Sequence, residues 1–114
     1  MSTLITGGTG FIGAEIARML IDSNDEVHIA HRSGNLGRLE GISDRVHLHQ
    51  FDLSLPGSAS ALLSKVRPKT LFHFGAILTA PGEQDPQALL QANAAGFIET
   101  IEAARLAGTE QMIF

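Results

Sequence analysis

Three glycines near the amino terminus have the spacing of a phosphate-binding turn. Gly7, Gly10 and Gly13 follow a short apolar run and lead into a segment with apolar residues at helical spacing. Glycines at this spacing allow a tight turn, close approach of the backbone to a pyrophosphate, and close packing of helix on strand. The first N–H groups of the helix, around Phe11 and Ile12, would then face the phosphates. The pattern predicts a dinucleotide-binding turn, with glycines that serve packing alone as the alternative.

A second group of polar residues closes the next predicted strand. His31, Arg32 and Ser33 stand about twenty positions after the glycines, where a fold that binds NAD usually has an acidic residue. A carboxylate would repel a 2′-phosphate, whereas a guanidinium and a hydroxyl can donate charge-assisted hydrogen bonds to it. The sequence therefore favours NADP over NAD as the cofactor. Arg32 could instead be a solvated loop cation.

Strands and helices must position these residues, and the hydrophobic pattern predicts both. We predict a first strand that ends at residue 6, followed by strands at residues 26–31, 45–51, 70–76 and 111–114. Helices are predicted at residues 11–22, 56–66 and 87–107, with a short helical turn around residues 36–39. Apolar strands alternating with helices predict an α/β fold of the Rossmann type. This is a doubly wound parallel sheet of order 3-2-1-4-5 over residues 1–114, cut short at the start of strand 5.

Composition excludes several classes of function. The 114 residues are 44% hydrophobic and 18% charged, which fits one small soluble domain. A net charge of −4 without a basic, aromatic-rich stretch argues against a nucleic-acid partner. We expect no membrane partner and a cytoplasmic location, because no long apolar stretch or secretory signal is visible. Cysteine is absent, and His47 and His49 have no evident third or fourth ligand nearby in the sequence, so we predict no metal site.

Four blocks occur in order along the chain: Thr6-Gly7-Gly8-Thr9-Gly10-Phe11-Ile12-Gly13, Phe51-Asp52-Leu53, Phe72-His73-Phe74-Gly75-Ala76, and Asn93-Ala94-Ala95-Gly96 with Glu102-Ala103-Ala104-Arg105. Together they resemble the amino-terminal part of the extended short-chain dehydrogenase/reductases, the NAD(P)-dependent epimerase/dehydratase family. The resemblance covers essentially the whole chain. Within that family, residues 76–86 look most like the branch that contains the short-chain L-threonine dehydrogenases and similar sugar-acid enzymes.

The resemblance implies further cofactor contacts. Asp52 would accept a hydrogen bond from the adenine amino group, and Leu53 would contribute through its backbone. Asp52 could equally be a cap on the following helix. Phe74, Gly75 and Ala76 would line the nicotinamide side, where small residues permit close approach of the backbone.

Three other polar residues have expected roles. Asn93 lies in a predicted helix that asparagine disfavours, so we expect a buried hydrogen-bonding role, and the resemblance implies that it supports the active-site geometry. His73 is expected to be a hydrogen-bonded core residue rather than a catalytic base. Thr79 matches a hydroxyl residue of the resembling branch and could contact substrate, or it could be an ordinary loop threonine.

The family's catalytic residues have no counterpart here. Enzymes of the family exchange a proton with substrate through a Tyr four residues before a Lys, with a Ser or Thr upstream, and this chain has no tyrosine. We therefore assign no catalytic residue. We expect the NAD(P)-binding half of an epimerase, dehydratase or dehydrogenase for a small hydroxy or sugar-type substrate, inactive alone. The alternative is a stand-alone nucleotide-binding or interaction module.

The end of the chain predicts self-association. The fifth strand ends at Phe114 without a helix to cover it or a further strand beside it, so we expect a homo-oligomer formed through that exposed edge.

Overall fold

Five strands form one parallel sheet in the computed structural model, which describes residues 2–32, 35–77 and 84–114. The strands are β1 (Ser2–Thr6), β2 (Glu26–His31), β3 (His47–Gln50), β4 (Thr70–His73) and β5 (Gln111–Ile113). Their order across the sheet is β3-β2-β1-β4-β5, and every neighbouring pair is parallel. The predicted Rossmann-type order is confirmed.

Within the described ranges the α-helices are α1 (Phe11–Asp22), α2 (Ser58–Val66), α3 (Pro86–Leu90) and α4 (Gly96–Leu106). Short 3-10 turns occur at Gly37–Leu39, as predicted, and at Ser43–Arg45. The last residue of the second turn, Arg45, was predicted to begin β3, which begins at His47 instead. Five residues between α3 and α4, Gln91–Ala95, have π-helical winding. The single helix predicted over residues 87–107 is therefore one helical run whose winding changes in the middle.

The sheet has a hydrophobic core on each face. Leu4 and Ile5 are consecutive in β1 and both are completely buried, because successive side chains of a strand point to opposite faces. Leu4 belongs to a core that includes Leu63 of α2 and Ala104 of α4. Ile5 belongs to a second core that includes Ala17 of α1. Burial on both faces explains why β1 and β4 have consecutive apolar residues at their centres rather than alternating ones.

A carboxylate from a neighbouring helix caps the start of α2. The N-cap residue, Gly57, has a φ of +88° and no side chain with which to cap the helix. Glu99 of α4 accepts hydrogen bonds from the backbone N–H groups of Gly57, at 2.6 Å, and of Ala59, at 3.2 Å. A carboxylate here satisfies donors that have no acceptor within the helix and complements the helix dipole. Glu99 thereby fixes α2 against α4.

The ends of the last helical run agree with the predicted signals. Asp85 is the N-cap residue, its side chain accepts a hydrogen bond from the Ala88 N–H at 3.1 Å, and Pro86 is the first helical residue. Gly108 follows the last turn with a φ of +80°. Within the described ranges, we find no helix with the length and apolar character needed to span a membrane.

Candidate functional site

A cleft of about 320 Å³ opens at the carboxyl ends of β1 to β4. It lies between β1 and β4, where the strand order reverses: the connection after β1 leads to β2 on one side, and the connection after β4 leads to β5 on the other. Open α/β sheets bind ligands at such a point. A larger groove of about 500 Å³ between α2 and α4 contains none of the predicted site residues. The cleft is lined by Gly7, Thr9, Gly10, Ala30, His31, Arg32, Phe51, Asp52, Leu53, Ser54, Phe74, Gly75, Ala76 and Ile77.

The glycine turn after β1 packs against backbone on both sides. Gly7 has a φ of +69°, and a Cβ built on it would lie 2.9 Å from the carbonyl carbon and oxygen of Phe74. A Cβ on Gly13 would lie 2.5 Å from the carbonyl oxygen of Gly7 and 2.8 Å from the Cα of Gly8. Real Cβ atoms do not approach backbone this closely. The turn, the end of β4 and the start of α1 therefore meet only because glycine occupies these positions.

The start of α1 has the properties of an anion-binding site. Gly10 is the N-cap residue, no described side chain caps the helix there, and the first turn contains no acidic residue. The first N–H groups of a helix have no acceptor within it and carry a partial positive charge. The side chains of Phe11 and Ile12 are 74% and 60% exposed and do not line the cleft, so only their backbone groups can serve the predicted role.

A hydrogen-bonded threonine joins the ends of β1 and β4. Thr6 is completely buried, and its Oγ1 accepts a hydrogen bond from the Gly75 N–H at 3.0 Å. The same oxygen is hydrogen-bonded to Nδ1 of His73 at 2.8 Å. Burial lowers the pKa of His73, since the charged ring would lose hydration. His73 is thus a hydrogen-bonded core residue, as predicted, and its having no role as a catalytic base stays a prediction. This role of Thr6 was not predicted, although a threonine at the end of an apolar strand could have indicated it.

Asp52 organises the turn before α2. Its Oδ1 accepts hydrogen bonds from the hydroxyl of Ser54, at 2.6 Å, and from the Ser54 N–H, at 3.0 Å. The hydroxyl bond is the largest cause of the lowered pKa of Asp52; burial opposes it, and the Ser54 N–H and the charge of Arg32 lower the pKa further. These bonds close a local turn at residues 52–54, whereas α2 begins at Ser58 with Gly57 as its N-cap residue, so the alternative that Asp52 caps the helix is wrong. Because both bonds are to Oδ1, contact of Oδ2 with a ligand stays a prediction.

Asn93 holds the backbone that follows β4. Its Oδ1 accepts a hydrogen bond from the Ile77 N–H and its Nδ2 donates one to the Ile77 carbonyl, each at 2.8 Å. The hydrogen-bonding role is as predicted, but Asn93 is exposed, so the expectation that it is buried is wrong. It lies in the π-helical segment, a feature frequent at functional sites. The predicted contacts Ser33 and Thr79 lie outside the described residues.

A separate cluster of histidines lies at the other end of the sheet. No metal site was predicted, because His47 and His49 have no evident third or fourth ligand in the sequence. The structure removes that reason, since the pairing of β2 with β3 brings His28 and Glu26 beside them. Glu26 Oε1 is 2.7 Å from His28 Nε2 and 4.0 Å from His47 Nε2. These neighbours come from the adjacent strand, so finding them requires the strand register.

The fold and the cleft define a class of protein. A parallel sheet of order 3-2-1-4-5, with a glycine turn between β1 and α1 at the point where the order reverses, is a Rossmann-type fold. The sequence places the chain within that class: it belongs to the GDP-mannose 4,6 dehydratase family, whose model matches residues 4–114. Membership of the epimerase/dehydratase group, expected from the four blocks, is confirmed. The likeness of residues 76–86 to L-threonine dehydrogenases stays a prediction.

Curated relatives and solved structures agree with this assignment. The chain is 31% identical over 119 residues to a UDP-glucose 4-epimerase of Mycolicibacterium smegmatis, covering 99% of this chain and 37% of the relative. It is also 31% identical over 119 residues to a GDP-mannose 4,6-dehydratase of Vibrio cholerae, covering 95% of this chain and 32% of the relative. The UDP-glucose 4-epimerase of Thermus thermophilus in complex with NAD superposes with a TM-score of 0.83 at 26% identity, over 100% of this chain and 37% of that one. The chain therefore spans about a third of the length of these relatives.

Proposed function

We propose that the cleft binds a nicotinamide dinucleotide, as the cofactor-binding part of an epimerase, dehydratase or dehydrogenase for a small hydroxy or sugar-type substrate. One observation carries the proposal: the start of α1, which has no acidic residue and no side-chain cap, adjoins a cleft that the ends of β2 and β4 also line. Family membership supports the proposal, as does the NAD complex of the Thermus thermophilus relative.

The cleft offers a place for each part of such a ligand. The pyrophosphate would lie over the turn from Gly7 to Gly10, with N–H donors from the start of α1 through Gly13. The adenine would lie beside Asp52, whose Oδ2 can accept from the amino group, and beside the backbone of Leu53. When bound, a nicotinamide ring supplies hydride transfer chemistry.

Phe74, Gly75 and Ala76 would line the nicotinamide side of the cleft. Their position is fixed from two directions, because Thr6 binds the Gly75 N–H and Asn93 binds both backbone groups of Ile77. We assign these two polar residues the role of holding the chain after β4 in place against the ligand. Thr79, which follows shortly after, is kept as a proposed substrate contact.

We further propose that NADP is preferred over NAD. Arg32 lines the cleft, and its charge acts on Asp52 at the proposed adenosine end. His31 occupies the position where NAD-binding folds usually have a carboxylate, so no acidic side chain stands there to repel a 2′-phosphate. The Arg32 guanidinium, together with the Ser33 hydroxyl, would donate charge-assisted hydrogen bonds to that phosphate.

Titration of the purified 114-residue chain with NADP⁺ and NAD⁺ in a calorimeter tests both proposals. We expect tighter binding of NADP⁺. Loss of a charge-assisted hydrogen bond costs about 1.5–3 kcal/mol, so Arg32→Ala should weaken NADP⁺ roughly 10- to 150-fold and change NAD⁺ affinity little. Arg38→Ala, in the exposed 3-10 turn and outside the cleft, is the matched control and should bind NADP⁺ as the wild type does.

The two proposals fail on different results. If neither dinucleotide binds the wild-type chain, the binding proposal is wrong. If Arg32→Ala keeps wild-type NADP⁺ affinity, only the assignment of Arg32 and the preference for NADP are wrong. Because the chain contains no tyrosine, we also expect no turnover of hydroxy substrates by the 114 residues, and NADPH production from any of them would contradict this.

We propose that the 114-residue chain self-associates through β5. This strand is at one edge of the sheet, and Phe114 beyond it is 79% exposed, although its ring contacts Phe97 at a centroid distance of 5.2 Å. Unpaired strand edges beside exposed apolar side chains favour pairing between chains. Light scattering over a concentration series should show association, and a strict monomer at the highest concentration would contradict it.

A further inference from the structure

Four side chains with metal-binding atoms converge at the amino ends of β2 and β3, away from the cleft. Glu26 and His28 are on β2, and His47 and His49 are on β3, with His28 paired to His47 in the strand register. All four project from the face of the sheet on which Ala30 packs, because residues two apart in a strand share a face. The rings of His47 and His49 stack on that of His28, with centroids 4.6 Å and 5.1 Å away.

Three of these side chains have nearly the spacing that a metal ion requires. Ligand atoms of Glu26, His28 and His47 all lie within 4.8 Å of one another. Around a tetrahedral zinc ion, with bonds of about 2.0–2.2 Å, ligand atoms are about 3.4 Å apart. The Glu26 oxygen is now 2.7 Å from His28 Nε2 and 4.0 Å from His47 Nε2. To close the site, ligand atoms now up to 4.8 Å apart must approach to about 3.4 Å, and the His47 ring must turn out of its stack on His28 so that both rings direct a nitrogen at the ion. Glu26 and His47 are exposed and can make these movements.

His28 is the fixed member of the group. Its side chain is only 11% exposed, and its Nδ1 is hydrogen-bonded to Nε2 of His49 at 2.9 Å. A histidine that binds metal through one ring nitrogen usually has the other nitrogen held by a hydrogen bond, which orients the ring. His49 is beside α2 in a groove that Lys65 also lines, and the lysine charge acts on it. His49 is therefore suited to position His28 and less suited to bind a cation itself.

We propose that Glu26, His28 and His47 bind one divalent transition-metal ion, such as Zn²⁺, and that His49 acts as a positioning residue for His28. Two imidazoles and a carboxylate favour Zn²⁺ and its neighbours in the first transition series over Mg²⁺ or Ca²⁺, which prefer all-oxygen sites. A fourth ligand would be water. Since the site joins the first residues of β2 and β3, the ion would tie the edge strand β3 to the sheet rather than take part in reactions in the cleft.

Calorimetric titration of the untagged 114-residue chain with Zn²⁺ tests the proposal. We expect one ion per chain and no comparable binding of Mg²⁺. Glu26→Gln and His47→Asn change exposed side chains and should leave the fold intact, which circular dichroism checks, and each should weaken Zn²⁺ at least tenfold. His31→Asn, a histidine at the other end of β2, is the matched control and should keep wild-type affinity for Zn²⁺.

The role of His49 has its own test. His49→Ala should weaken Zn²⁺ about 10- to 100-fold, the usual effect of removing an orienting partner, without changing the stoichiometry of one ion. His49→Gln can still hydrogen-bond to His28 and should recover part of the affinity. The site is disproved if the wild-type chain does not bind Zn²⁺, or if Glu26→Gln and His47→Asn bind it as tightly as the wild type. Unchanged affinity in His49→Ala would disprove the positioning role alone.

Discussion

Replacing Gly7 by alanine should test the close contact between the glycine turn and the end of β4. Alanine at a φ of +69° costs about 1–2 kcal/mol, the penalty of the left-handed region for an L-residue. In addition, its Cβ would lie 2.9 Å from the carbonyl group of Phe74 and 3.0 Å from the nitrogen of Gly75. Backbone cannot rotate away as a side chain can, so this overpacking costs about 1–3 kcal/mol more. We expect Gly7→Ala to lower the free energy of unfolding by about 2–5 kcal/mol.

A second glycine separates the two contributions. Gly41 has a φ of +85°, but a Cβ there would meet no atom within 4 Å, so Gly41→Ala has the conformational cost alone, about 1–2 kcal/mol. Urea denaturation of wild type and both variants gives the free energies, and an unchanged m-value confirms that the same transition is measured. Equal losses in the two variants would refute the steric part of the reasoning. A loss in Gly7→Ala of less than about 1 kcal/mol would refute both parts.

Three further predictions concern contacts around the cleft and α2. Asn93→Ala should remove both hydrogen bonds to Ile77, and hydrogen exchange at the Ile77 amide should become faster while global stability changes by about 1–3 kcal/mol; an unchanged exchange rate would show that Asn93 does not hold this backbone. Glu99→Gln should destabilise the protein by about 0.5–2 kcal/mol by weakening the cap on α2, and the loss should shrink in high salt, whereas no change in thermal melting would contradict the capping role. Burial lowers the pKa of His73 from 6.5, so between the lowered pKa and 6.5 the unfolded chain binds a proton that the folded chain does not, and stability falls as the pH falls through this window, by at most about 1.4 kcal/mol per pH unit. Urea titrations across that window should show a shallower pH dependence in His73→Asn, and an equal slope in both proteins would remove His73 as the cause.

The sequence was sufficient for the sheet order, since strand patterns alternate along the chain with helical patterns or, between β2 and β3, a short helical turn. The right-handedness of parallel connections then leaves few topologies. Local signals also placed some element ends correctly: β2 is Glu26–His31 as predicted, and Asp85 caps the helix that Pro86 begins. Other predicted ends were wrong, since β3 spans residues 47–50 rather than 45–51, β4 ends at residue 73 rather than 76, and α2 begins at residue 58 rather than 56. The residues that line the cleft could be collected in advance because they follow strands whose carboxyl ends must meet at one edge of the sheet.

Three features of the structure could not be predicted from the sequence, because they depend on local winding or on how separate elements are placed against each other. The π-helical winding at Gln91–Ala95 has no periodic signature, so the exposed position of Asn93 was not foreseen. The contact of Thr6 with His73 joins residues 67 positions apart and follows from the register of β1 with β4. The histidine cluster likewise depends on which residue of β3 faces His28. A shift of that register by one residue would separate these side chains.

Glu99 of α4, whose carboxylate caps α2, also affects which helix start can bind an anion. Each helix start is a potential competitor for the same phosphate, but α2 is already neutralised by Glu99 and α3 by its own Asp85. An incoming anion would be repelled by the acidic caps of α2 and α3 and attracted to the start of α1 at Gly10, which has no such cap. Acidic caps elsewhere in the described part of the fold thus direct a phosphate to one position, and they do so without any residue that touches it.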